Sequence, residues 1–230
     1  MMRQDFETFL STLSRKFTPI IDSSFSKEDF VVLDLSSYNE ELDVALLKNP
    51  EAHHKHLQEF LKINQAKVAY GGYLEQRKLY DRSDYFQSDK PEDTRNIHLG
   101  IDLWCEARTA VLCPLDGVVH SFKENTNFGD YGPTIIIEHH IEGHTFYTLY
   151  GHLSRESLNG KSVGQKINAG VTFAWLGIPE VNGEYAPHLH FQLIKDLEGK
   201  VGDYPGVCSK SKLEFYRKNC PNPNLLLKIY

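Results

Sequence analysis

The sequence predicts a mostly β protein, α+β overall, in which an antiparallel β-sheet domain follows a helical N-terminal segment. From Ile97 onward, β-branched runs are broken by Gly and Pro at short intervals, which is typical of strands joined by tight turns. Before residue 67, short blocks of apolar residues recur at helical spacing instead. This change predicts a helical segment with a connector at residues 1–90, the β domain at 91–200 and a C-terminal tail at 201–230.

Three apolar blocks define the helical segment. They are Phe6, Leu10 and Leu13; Leu42, Ala45 and Leu46; and Leu57, Phe60, Leu61 and Ile63. Pro50 suits the first turn of a helix, and the run at residues 30–36 predicts a short strand. Residues 68–96 have no sustained period, and we interpret them as an ordered connector. Because apolar stripes need a surface to bury against, we expect residues 1–90 to pack on the β domain.

The clearest hairpin of the β domain runs from Thr134 to Leu149. Its two β-prone runs, TIIIEHHI and HTFYTLYGHL, flank the dipeptide Glu142-Gly143. A short glycine-containing link between two such runs is the usual sequence signal of a hairpin. The tail after Gly199 contains loops and one short helical patch.

Composition excludes several classes of protein. A chain of 230 residues can hold one sizeable domain with additions. No stretch approaches the roughly 20 apolar residues that cross a bilayer, so we predict no membrane span. The formal net charge is -6 and Lys and Arg are not clustered, which argues against a nucleic-acid partner. The sequence makes no prediction of the oligomeric state.

The N-terminus and the cysteines indicate the compartment. Charged residues interrupt every apolar run of MMRQDFETFLSTLSRKFTPIID before a secretory apolar region of about 7–15 residues forms. We therefore expect a cytoplasmic protein; a periplasmic or secreted location would require that a leader had been removed. The cysteines form no C-x-x-C pair, and we expect reduced core thiols. They are Cys105, Cys113, Cys208 and Cys220.

Two short strands carry residues that can bind a metal. Side chains alternate faces along a strand, so His188 and His190 share one face with Gln192, while Leu189 and Phe191 share the other. An H-x-H pair on a strand also arises by chance on a solvated face, so this signal alone is moderate.

The second strand repeats this pattern, because His98 and Asp102 also share one face. A fully extended chain would separate them by roughly 13 Å, which is too far for one metal ion. The strand must therefore bend, and Gly100 is the residue that tolerates the backbone angles of a bend or bulge.

Together, His98, Asp102 and one of His188 and His190 would supply two nitrogens and one oxygen. This set suits tetrahedral zinc whose fourth position is left to water. Because the ligands carry a single negative charge, the site would stay positive and lower the pKa of that water from about 15.7 toward about 7.

The blocks HLGID, GDYGPTIIIEHH, YGHLS and PHLHF occur in the order found in lysostaphin-type (LytM-like) zinc metalloendopeptidases, which the chain resembles from about Ile97 to Ile194. The resemblance implies a duplicated hybrid motif fold of antiparallel sheets with an open groove. It implies one zinc ion held by His98, Asp102 and His190, and two unligated active-site histidines, His152 and His188.

Other candidate residues have simpler alternative interpretations. Tyr131 with Gly132 matches the aromatic-glycine turn of the family, although Pro133 stands where the family has Asn. Tyr131 and Arg77 are our candidates for substrate binding, but a salt bridge between Glu75 and Arg77 within the connector is the favoured alternative. We expect two further histidine groups to be surface or sheet-face residues. They are His53, His54 and His56 on a helix, and His139, His140 and His144 around the hairpin turn.

The resemblance implies a zinc metalloendopeptidase that acts on peptidoglycan-type (muropeptide) substrates. In this hypothesis His152 is the general base and His188 stabilises the oxyanion. The alternatives are a catalytically silent groove protein that binds cell-wall peptides or regulates a partner, and a phosphocarrier of the sugar-transport IIA type, which has no use for Asp102 as a ligand. Because the sequence has no evident leader, soluble muropeptides or another peptide or amide fit better than mature cell wall.

Overall fold

The computed structural model describes residues 5–40 and 42–230, so residues 1–4 and Glu41 of the predicted helical segment lie outside the described part. The described helices are α1 (Phe6–Leu13), α2 (Val44–Leu47), α3 (Pro50–Ile63), α4 (Leu213–Asn219) and α5 (Asn224–Leu227). The described strands are β1 (Phe30–Val32), β2 (Val68–Gly71), β3 (Arg95–His98), β4 (Ile101–Trp104), β5 (Ala110–Leu112), β6 (Gly117–Asn125), β7 (Gly132–Ile141), β8 (His144–Gly151), β9 (Lys166–Ile167), β10 (Thr172–Trp175), β11 (His188–Ile194) and β12 (Val207–Ser209). Short 3₁₀ turns connect them.

The main feature is a sheet of 8 strands in the order β1-β2-β4-β11-β8-β7-β6-β9. Neighbouring strands are antiparallel except for the parallel pair of β1 and β2 at one edge. Two small antiparallel sheets, β10-β5 and β12-β3, accompany it. The predicted mostly β fold with a large antiparallel sheet is confirmed.

The predicted hairpin is formed by β7 and β8, which pair from Ile135 with Tyr150 to Ile141 with His144. Its two turn residues, Glu142 and Gly143, both have positive φ, 50° and 77°. Positive φ at both central positions matches the right-handed twist of the two strands, which explains why the turn contains glycine.

The predicted bend near Gly100 separates β3 from β4, and the chain changes sheets there. β3 pairs with β12, whereas β4 enters the main sheet between β2 and β11. A Cβ atom on Gly100 would lie 2.6 Å from the Phe191 carbonyl oxygen and 2.8 Å from ring atoms of His190. Glycine is therefore required for the close passage of β11 beside this bend.

The N-terminal residues contribute strands as well as helices. Helix α3 begins at Pro50 as predicted, and the Asn49 side chain caps it by accepting from the Ala52 amide. However, the predicted connector contains β2, which lies beside β4 inside the main sheet. The sequence did not reveal β2 because three of its four residues are buried, which leaves no alternation of polar and apolar residues.

The C-terminal residues also belong to the packed structure. Leu226 and Leu227 of α5 are fully buried in the same core as Ile101 and Leu189. The domain boundaries at residues 90 and 200 stay a prediction. All four cysteines are buried and free, as expected of reduced core thiols. Within the described residues, no helix is long and apolar enough to cross a membrane.

His139 is a buried residue of β7, unlike its exposed neighbour His140. Its Nδ1 lies 2.9 Å from the Asp116 carbonyl oxygen and its Nε2 lies 2.8 Å from the Thr148 hydroxyl. Burial lowers the pKa of His139 from 6.5 to about 4, because the charged imidazolium loses its hydration. The side chain is therefore neutral in the folded protein at neutral pH.

We expect His139 to make the protein less stable in mild acid. Since its pKa is lower in the folded state, the unfolded chain binds more protons between pH 6.5 and 4, and stability falls as the pH falls. His139→Gln should reduce the loss of unfolding free energy between pH 7.5 and pH 5 by about 2 kcal/mol. Urea unfolding at both pH values measures this, with the exposed His140→Gln as control; equal pH dependence of wild type and His139→Gln would refute the assignment.

Candidate metal centre

Three strands bring His98, Asp102 and His190 to one point. His98 ends β3, Asp102 lies in β4, and His190 of β11 is the direct cross-strand partner of Asp102. All three side chains are buried. Among the residues that the structure describes, they are the one group of three or more His, Cys, Asp or Glu side chains able to hold a metal ion together.

The three facing atoms form a compact triangle. His98 Nε2 lies 2.9 Å from His190 Nδ1, and Asp102 Oδ1 lies 3.2 Å from the first nitrogen and 3.0 Å from the second. Ligand bonds of about 2.0–2.1 Å in tetrahedral geometry place ligand atoms about 3.3 Å apart. The triangle therefore needs an expansion of only a few tenths of an ångström to fit a zinc ion.

Hydrogen bonds on the far side of the His98 and His190 rings orient the nitrogens that face the triangle. His98 Nδ1 lies 3.0 Å from the Gly72 carbonyl oxygen, and His190 Nε2 lies 3.0 Å from Gln192 Oε1. Both oxygens accept the ring N–H, so His98 Nε2 and His190 Nδ1 are left unprotonated and point toward each other. This is the arrangement that metal-binding histidines require.

The other face of the Asp102 carboxylate is held by Arg77. Arg77 Nη1 donates to Asp102 Oδ2, and Arg77 Nε donates to the Glu75 carboxylate. Burial alone would raise the pKa of Asp102, but the neighbouring His98 and the Arg77 guanidinium hold it well below its usual range. The carboxylate is therefore charged whether or not the site is loaded.

The interpretation of Glu75 and Arg77 as a salt-bridged pair agrees with these contacts. Arg77 is 1% exposed and also lines the pocket described below, and its Nη2 has no hydrogen-bond partner among the described residues. Binding of substrate by Arg77 therefore stays a prediction.

His152 and His188 lie beside the triangle without joining it. Their ring centroids are 4.1 Å apart, and the centroid of His152 is 6.4 Å from that of His190. His152 Nδ1 lies 2.7 Å from the Asn182 carbonyl oxygen, and His188 Nδ1 lies 2.7 Å from that of Ala186. Both Nδ1 atoms therefore carry the proton, and both Nε2 atoms are free to accept one.

Burial keeps these two histidines neutral. It lowers the pKa of His188 from 6.5 to about 4 and moves the pKa of His152 well below its ordinary value, where the nearby His188 adds to the effect. At neutral pH the pair thus offers two unprotonated imidazole nitrogens beside a metal-binding triangle.

Tyr131 packs directly against His190. Its hydroxyl lies 3.4 Å from His190 Nε2 and 3.5 Å from Gln192 Oε1. A Cβ atom on Gly151, in the YGHLS block, would lie 2.5 Å from the Tyr131 ring, so this glycine makes room for the tyrosine. The predicted contact of Tyr131 with substrate stays a prediction.

A pocket of about 170 Å³ opens onto these groups. Asp102, His152, His188 and His190 line it, and so does His53 of α3. The expectation that His53 faces the surface is wrong, because the side chain is 2% exposed. Its spacing from Leu57, the other buried residue of α3, places it on the apolar stripe of the helix, and this signal could have revealed it.

Comparisons with known proteins agree with the motifs. Residues 96–202 match the model of peptidase family M23. Among solved structures, the chain is similar to the lysostaphin catalytic domain of Staphylococcus simulans (23% identity, 53% of this chain, 80% of that chain, TM-score 0.37). It is also similar to a putative peptidase M23 from Pseudomonas aeruginosa (16% identity, 83% of this chain, 64% of that chain, TM-score 0.38). A third similar structure is a zinc-containing peptidase from Vibrio cholerae (25% identity, 47% of this chain, 30% of that chain, TM-score 0.35). No curated protein matches.

We expect Arg77 to strengthen metal binding through Asp102. In Arg77→Met the carboxylate loses the donor that orients it, and loss of such a partner typically weakens metal affinity by about 10–100-fold. Competition with a chromogenic zinc chelator measures the affinity. Arg82→Met, which removes another partly buried arginine that has no contact with the triangle, is the control. Unchanged affinity in a folded Arg77→Met protein would show that Arg77 does not support the ligand.

Proposed function

We propose that this chain is a zinc-dependent metalloendopeptidase that hydrolyses peptide bonds in muropeptide-type substrates, because residues 96–202 match the model of peptidase family M23. The observation that carries the proposal is the buried triangle of two imidazole nitrogens and one carboxylate oxygen, with two further neutral histidines beside it. Two nitrogens and one oxygen are the protein ligands of a well-known class of catalytic zinc sites.

His98, Asp102 and His190 would hold the ion in this proposal. Zinc bound there supplies Lewis-acid polarisation of the peptide carbonyl and acidification of the attacking water. The protein contributes the fixed geometry, since each ligand is buried and has a second hydrogen bond behind it.

His152 is the general base in this proposal. It must take a proton from the attacking water, and its Nε2 is free to accept one because the ring proton is on Nδ1. Its Nδ1–H donates to the Asn182 carbonyl, which fixes the ring and favours the developing positive charge. The ring lies in the loop directly after β8, across from the start of β11.

His188 is the second catalytic histidine and contacts the oxyanion. In its present tautomer the Nε2 has no hydrogen to donate, because the proton is on Nδ1. It can therefore stabilise an oxyanion only after Nε2 is protonated. With the two rings 4.1 Å apart, a proton taken up by the pair lies close to both, so His152 and His188 act together rather than independently.

The first test is the metal content of the purified protein. We expect close to one zinc per chain, and we expect His98→Ala, Asp102→Ala and His190→Ala each to release it, because a tetrahedral site does not survive the loss of one of three protein ligands. Elemental analysis of folded protein decides this. Retention of zinc by His190→Ala together with its loss in His188→Ala would reverse the assignment of the two histidines.

The second test separates catalysis from metal binding. Removal of a positioned proton acceptor typically lowers the rate by about 10²–10⁴-fold, so His152→Ala should lose activity by that order while it keeps its zinc. Products from purified muropeptides are measured by mass spectrometry, with the exposed His140→Ala as control. Near-normal kcat, or a loss that parallels loss of zinc, would rule out the role of His152.

A further inference from the structure

Helix α3 places a further histidine, His53, in the pocket that opens onto the metal triangle and the catalytic pair. His53 belongs to neither group. His53 is 2% exposed, and its Nε2 has no hydrogen-bond partner among the described residues. It lies on the same pocket as Asp102, His188 and His190, although it precedes the M23-matched region by more than 40 residues.

An unpartnered buried nitrogen is costly in a folded protein. It loses its hydrogen bonds to water and costs about 1–3 kcal/mol, and most buried polar groups therefore have a partner. A leucine at position 53 would fit the apolar stripe of α3 beside Leu57 without this cost. A polar side chain kept at such a position is explained if its partner is a bound molecule.

The charges around His53 determine which chemical group of that molecule can bind beside it. The ionisable groups whose charge disfavours a protonated His53 are His188, His56, Arg82 and Arg77, all of which are cationic or neutral. Burial and these neighbours lower the pKa of His53 to about 3, so the imidazole stays neutral. A neutral ring beside two arginines does not suit an ammonium group, but it suits a neutral amide, which can accept from or donate to Nε2.

We propose that His53 is a substrate-binding residue whose Nε2 hydrogen-bonds to a backbone amide of the bound peptide on the His188 side of the site. This inference rests on the proposed peptidase function. It makes a residue outside the M23-matched region part of the substrate site, and it explains why a polar group is buried on the apolar face of α3.

A purely structural role for His53 predicts a different result. If His53 only filled space, then His53→Leu would leave substrate binding unchanged and would raise the midpoint of thermal unfolding. Under the proposal, the same variant is at least as stable as wild type but binds peptide more weakly. The combination of kept stability and lost binding is therefore the distinguishing signature.

The experiment uses the full chain as purified and measures binding of tetra-alanine, tetraglycine and a soluble muropeptide mixture by calorimetry. Mass spectrometry of the same samples reports whether each peptide is cleaved. The variants are His53→Leu, His53→Gln, which keeps a polar side chain, and His56→Gln, which changes an exposed histidine of the same helix as the matched control.

We expect His53→Leu to weaken binding, or to raise KM for a cleaved peptide, by about tenfold, which is the effect of one hydrogen bond of about 1.4 kcal/mol. kcat and zinc content should change little, His53→Gln should recover part of the affinity, and His56→Gln should match wild type. Unchanged binding in His53→Leu, loss of zinc in parallel, or no binding of any probe by wild type would overturn the inference. Binding without cleavage by zinc-loaded wild type would instead contradict the peptidase function and leave the role of His53 standing.

Discussion

The contact on which the rest of the site depends is the buried carboxylate of Asp102. One oxygen faces His98 and His190, and the other accepts from Arg77, whose guanidinium is bonded in turn to Glu75. The charged groups of Glu75, Arg77 and Asp102 are all buried or nearly so, and a buried charge is stable only when it is paired. Removal of Arg77 would take the buried guanidinium partner from both Glu75 and Asp102, so Asp102 and its supporting residues form one unit.

This unit joins two parts of the chain. Asp102 lies in β4, whose neighbours in the sheet are β11, which carries His190, and β2, which comes from the N-terminal residues. The Gly72 carbonyl that orients His98 follows β2, and Glu75 and Arg77 follow shortly after it. The residues before the M23-matched region therefore complete the candidate metal site, and they also supply His53 to the pocket.

Electrostatics divide the pocket into two halves. On one side, the carboxylate of Asp102 and the facing nitrogens of His98 and His190 lie close enough together to bind one cation. On the other side, His152 and His188 are kept neutral by burial and present unprotonated nitrogens. This separation is what a metal-assisted hydrolysis needs, because the cation and the proton acceptor must stay close without competing for the same ligand.

His98 and Asp102 meet across the change of sheet at Gly100 and not on one face of a single strand. Local pattern was enough to predict the mostly β fold and the hairpin of β7 and β8, because alternation and turn chemistry depend on neighbouring residues alone. It was also enough to require the bend at Gly100. Only the tertiary structure decided three further features, because each joins residues far apart in sequence. They are the contact of Gly100 with Phe191, the salt bridge from Arg77 to Asp102 and the position of His53 in the pocket. β2 stayed hidden for a related reason: a strand that is buried on both faces keeps no alternation that a sequence can reveal.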